Sequence, residues 1–127
     1  MTTFKGITLL WVVLMITACS TAQPAETAAL ATVQELNCPY PAGVDLDNHR
    51  QSVRISLGRR PSAGYHIELT RQDVDSGNLF LEFSEQRPDG MAAQMLTSPC
   101  MTVSLPDDWQ QLVVQNRQNG QRWQFSR

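Results

Sequence analysis

The feature that most limits what this chain can become is the alternation of apolar and polar residues on either side of a turn-forming cluster, Gly58 to Tyr65 (GRRPSAGY). Before it, Val53, Ile55 and Leu57 alternate with Ser52, Arg54 and Ser56; after it, Tyr65, Ile67 and Leu69 alternate with His66, Glu68 and Thr70. A period of two sends one set to each face of an extended chain, so both flanks are expected to be half-buried strands. Gly58 and Gly64 supply backbone angles that other residues resist, while Pro61 fixes its own φ and drives Arg60 towards an extended conformation. The cluster is therefore expected to be a stiff, exposed strand connection with two arginines at one end and a tyrosine at the other.

The same pattern recurs down the chain. Leu79, Leu81 and Phe83 alternate with Phe80 and Glu82 after a turn at Asp75, Ser76 and Gly77. Pro88, Asp89 and Gly90 precede an expected strand at Met91 to Leu96, and Met101, Val103 and Leu105 alternate with Thr102 and Ser104. Pro106 to Asp108 turn the chain into Leu112 to Val114, and Asn119-Gly120, a strong hairpin signal, turns it into Trp123 and Phe125. About seven short strands with turns at regular spacing predict an all-β domain, a small antiparallel β-sandwich of immunoglobulin-like or barrel-like form.

The amino end follows different rules. Residues 1–18 carry one basic residue, Lys5, and an apolar run from Ile7 to Ile16, shorter than the roughly 20 residues a membrane-spanning helix needs. They are expected to be an export signal and are left out of the fold argument. Ile16, Thr17, Ala18 and Cys19 resemble the bacterial lipobox, which makes Cys19 the expected site of lipidation; ordinary signal cleavage after Ala22 is the alternative. Acyl chains at about 0.8 kcal/mol per buried methylene would hold the protein on a membrane surface without spanning it. By resemblance to lipoproteins of diderm bacteria, Ser20 behind the cysteine implies sorting to the outer membrane, on its periplasmic or outer side. Residues 19–32 are rich in Ala and polar residues and read as anchor and tether, leaving a single domain over 33–127. Leu30, Val33 and Leu36 also fall at helical spacing, which allows a short helix beginning near Pro24.

Without residues 1–18, nine basic residues face twelve acidic ones, a formal charge of −3. No basic stripe remains, which argues against a nucleic-acid partner. Zinc spacing is absent: Cys38 and Cys100 stand alone and neither His49 nor His66 recurs at i+4. Asp45 and Asp47 open like a calcium loop, but Arg50 stands where that loop needs Gly and Ser56 where it needs Glu, so a polar turn is expected. Asp107 and Asp108 beside Pro106 read as a solvated turn rather than an acid/base pair. No nucleophile elbow, Walker loop or dinucleotide loop occurs. The expectation is a protein with no catalytic residues, no cofactor and no metal.

Once Cys19 is assigned to lipid, Cys38 and Cys100 are the remaining pair in a small exported domain, either bonded or buried as free thiols. Two segments are expected to be shaped loops at one end of the domain: Arg59, Arg60, Pro61, Ser62, Ala63, Gly64 and Tyr65 in the first, Thr97, Ser98 and Pro99 in the second. Each serves either as a partner-binding surface or only as turn geometry, with Tyr65 then a core aromatic.

GRRPSAGYHIEL followed by AQMLTSPCMTVSLP resembles the PrcB family, specifically its C-terminal domain, over Ser52 to Pro106. Gly58, Pro61, Gly64, Tyr65, Thr97, Ser98 and Pro99 match the family pattern, while Ser62 replaces Thr, Ala63 replaces Gly and Cys100 stands where an aromatic is common. The resemblance implies an extracytoplasmic β-domain of a lipoprotein that supports, stabilises or matures a partner protease. The single loop 58–65 is also similar to the cleft-entering loop of chagasin-like cysteine-protease inhibitors, with Arg60 in place of Asn and Ala63 in place of Thr, which implies direct inhibition as the alternative. A structural envelope lipoprotein without a protease link is the third reading.

Overall fold

A computed structural model describes residues 29–127. The expected signal segment, Cys19 as the expected lipidation site and the start of the expected helix near Pro24 lie outside the described residues. Eight strands follow in order: β1 Thr32–Glu35, β2 Gly43–Leu46, β3 Ser52–Ser56, β4 His66–Asp75, β5 Asn78–Gln86, β6 Cys100–Ser104, β7 Gln111–Asn116 and β8 Arg122–Ser126. They form two four-stranded sheets, ordered β1-β6-β3-β2 and β4-β5-β7-β8. The expected all-β sandwich is present.

The alternation in sequence becomes the facing of side chains. Val53 and Ile55 of β3 lie opposite Val103 and Met101 of β6, and all four are buried. On the second sheet Leu79 and Leu81 lie beside Leu112 and Val114, again buried, with Phe125 and Trp123 across from the latter pair. These registers match apolar to apolar on the inner face, and the two rows close on one another as the core.

Three details depart from the sequence pattern. First, β5 and β7 run parallel, the one parallel strand pair among the described residues, because the chain crosses to β6 of the other sheet between them. Second, a bulge between Leu69 and Arg71 changes the parity of β4, so that Gln72 and Val74, rather than odd-numbered residues, oppose Leu81 and Leu79. Third, Met91 to Leu96 is not a strand but part of the long connection between β5 and β6. MAAQML lacks strict alternation, and its Met91, Met95 and Leu96 point to solvent rather than into the core. Thr32–Glu35 is extended, so the helical spacing of Leu30, Val33 and Leu36 does not produce a helix there; Leu30 packs against the core, placing the start of the folded body slightly before residue 33.

The expected turns hold. Ser76 and Gly77, both at positive φ, join β4 to β5 as a two-residue loop of the kind whose twist matches the flanking strands. Asp47 closes the β2–β3 connection: its Oδ1 accepts from the N–H groups of Gln51 and Ser52 at 2.7 and 3.0 Å. The Ser52 N–H, first among several donors, holds the Asp47 carboxyl below its usual range. Asp45 pairs with Arg54 at 3.7 Å, so these two aspartates are engaged in a strand pair and a turn.

Candidate functional site

The two segments singled out as shaped loops meet at one end of the sandwich. Arg60 and Thr97 form an isolated antiparallel bridge, Arg60 N–H to Thr97 C=O at 2.8 Å and the reverse at 3.0 Å. The buried Thr97 hydroxyl donates to the Ser62 carbonyl at 2.9 Å, and the Ala63 N–H donates to the Ala93 carbonyl at 3.1 Å. A third segment joins them: Ser98 N–H donates to Leu36 C=O at 2.7 Å, and Cys38 N–H to Ser98 C=O at 3.0 Å. A disulfide between Cys38 and Cys100, with Cα atoms 6.1 Å apart, locks the third segment to β6.

Arg60 is the charged centre of this end. Its Nε and Nη2 donate to Glu85 Oε1 and Oε2 at 2.6 and 2.9 Å, a two-pronged pair between the loop and the end of β5. Hydrogen bonding to Arg60 holds the Glu85 carboxyl below its usual range, and the same bonds raise the Arg60 guanidinium. Gln118, in the β7–β8 turn, bonds both backbone groups of Glu85: its Oε1 accepts from the N–H at 3.0 Å and its Nε2 donates to the carbonyl at 2.7 Å. Sequence reasoning singled out neither Glu85 nor Gln118. The partners are 25 and 33 residues away from the residues they bind, and no local pattern marks such a pair.

The expected site residues divide into two groups. Ser62, Thr97 and Pro99 are buried and shape the end from within. Arg59 and Pro61 face solvent, while Ala63, Tyr65 and Ser98 are half-buried, with the Arg60 guanidinium 6.0 Å from the Tyr65 ring. Gly58 has φ +77, the left-handed region that favours glycine. Gly64 does not need such an angle; it is small because Pro88 of the β5–β6 connection lies against it. The Glu35 carboxylate lies close to the Cys38 and Cys100 sulfurs, but these are joined to each other and offer no thiolate to a metal. Asp107, Asp108 and His66 are exposed, as expected of turn and outer-face residues.

An all-β sandwich domain with three stapled segments at one end is the class that this architecture defines. Residues 53–106 match the family model described as PrcB C-terminal. That stretch runs from β3 through β6 and holds both loops, so the resemblance carried by Gly58, Pro61, Gly64, Tyr65 and Thr97 to Pro99 is borne out there. No curated protein and no solved structure matches the chain.

Proposed function

We propose that this chain is a bacterial envelope lipoprotein, held on the membrane through an acylated Cys19, whose β-domain binds and supports a partner protease and cleaves nothing itself. The family match over residues 53–106 carries this reading, because it links the domain to a protease complex. The meeting of both matched segments at one end supports it further: a stapled, pre-ordered end costs little conformational entropy to bind with.

Direct inhibition through the 58–65 loop fits the geometry less well. Ala63 is hydrogen-bonded to Ala93 and Gly64 lies under Pro88, so one side of the loop is covered by the chain's own β5–β6 connection. Only the other side of the loop is left to meet a protease cleft.

Two measurements test the proposal. Radiolabelled fatty acid should enter the full-length protein and be lost in Cys19→Ser, with the parent in the membrane fraction. A protease should co-purify with the detergent-solubilised parent and fall in abundance when the chain is deleted; unchanged abundance and no co-purification would leave an envelope protein without a protease link.

A further inference from the structure

The large apolar side chains exposed among the described residues fall in two short segments: Val33, Leu36 and Tyr40 in one, Met91, Met95 and Leu96 in the other. Leu96 is 71 % exposed and Met91 wholly so, although the core leaves few other large apolar groups in water. The two segments meet at one point, where Leu36 and Cys38 are hydrogen-bonded to Ser98, two residues beyond Leu96. Concentration of this kind, as opposed to single scattered residues, marks a surface that is covered in use.

Beside the patch lies a cavity of about 430 Å³ walled by Pro39, Tyr40, Pro41, Arg59 and Ser98. Its walls are stiff: two proline rings, a disulfide at Cys38, and a Tyr40 ring held by the Arg54 guanidinium 3.4 Å from its centroid. The charges nearby are not equivalent. Arg60 is neutralised by Glu85 and Arg54 faces Asp45, whereas Arg59 is exposed and has no ion-pair partner among the described residues.

We propose that this patch and cavity form the docking surface for another protein, and that they receive a segment in which a carboxylate stands beside apolar side chains, the carboxylate pairing with Arg59. The inference rests on the protein-binding reading above but not on the partner being a protease. A guanidinium in the wall of a cavity otherwise lined mainly by apolar groups selects a carboxylate over a neutral or cationic group. Among the described residues Arg59 is the one charged side chain that lines the cavity, too little for an anionic lipid surface, which draws on clusters of four or more.

The test uses the full-length protein in the membranes of the cells that make it. A photo-crosslinking benzoylphenylalanine replaces Leu96, or Gln124 on the exposed face of β8 as the control position, and the captured peptide is mapped by mass spectrometry. The expected result is capture from position 96 of an apolar segment of a different protein containing Asp or Glu. Arg59→Glu should lower the yield at least tenfold, leave the melting temperature unchanged, and be rescued by Asp/Glu→Lys in the mapped segment. Capture of a second copy or of lipid, a segment without a carboxylate, no adduct at position 96, or a yield indifferent to Arg59→Glu overturns the proposal. A mapped partner of the right chemistry that is neither a protease nor bound to one leaves this surface standing and removes the protease reading. A protease captured only from position 124 does the reverse.

Discussion

Gly64 sits directly against Pro88: a Cβ built on Gly64 would lie 2.3 Å from the Pro88 Cβ and 3.1 Å from that of Ala92. The constraint on this glycine is therefore space, set by a residue 24 positions later in the chain. Gly64→Ala should destabilise the domain by about 1–3 kcal/mol, the usual cost of overpacking. Pro88→Gly in the same molecule should recover most of that loss, which chemical denaturation of the four members of the double-mutant cycle measures. Additive effects would show that the two residues do not press on each other.

The Arg60–Glu85 pair makes stability depend on pH with a definite sign. Glu85 titrates below its ordinary value of 4.5 in the folded protein. Its stabilisation is thus fully present above that value and is lost as the pH falls through the lower, folded one. Glu85→Gln should cost about 1 kcal/mol at neutral pH, since the pair is partly open to water and screened. The gap between parent and variant should narrow on acidification, as urea midpoints between pH 7 and pH 3 would reveal.

Thr97 carries a buried hydroxyl that donates to the Ser62 carbonyl. Thr97→Val preserves the shape and leaves that carbonyl without its donor, so a loss of about 1–2 kcal/mol is expected. Thr97→Ser keeps the donor and should lose less. Hydrogen exchange at the Ala63 and Arg60 amides should quicken in the valine variant, because the two segments lose one of their shared bonds.

The disulfide closes a loop of 62 residues. Replacing both Cys38 and Cys100 by Ala should cost up to about 4 kcal/mol in the chain-entropy account, and the same loss should follow reduction of the parent. A melting temperature equal in oxidised and reduced protein would remove this contribution.

Much of the fold could be read in the sequence because alternation is a local signal. Val53 to Leu57, Leu79 to Phe83 and Met101 to Leu105 each announce a strand face within five residues, and each became one wall of the core. The bulge at Thr70 was not legible, since nothing in LTRQ marks the extra residue. Trp109 also gave no sign: it belongs to no strand, yet it is buried to 1 % exposure with its indole N–H donating to the Arg50 carbonyl at 2.7 Å. The strand expected at Met91 to Leu96 failed because apolar content alone cannot tell a buried strand from an exposed patch. At the site, the residues of the two loops were legible, but their division into buried framework and exposed surface was not. That division depends on Glu85, Pro88 and Gln118, all distant in the chain.

The position of Cys38, three residues past the end of the four-residue edge strand β1, determines how this domain bears a mechanical load. A pull on the amino-terminal segment would strip β1 from β6 one residue at a time, the weakest direction in which antiparallel strands can be parted. The stripping stops at Cys38. From there the force passes through a covalent bond into Cys100, at the start of β6, which stays paired with β3, so the core is spared and the stapled end is drawn towards whatever is pulling.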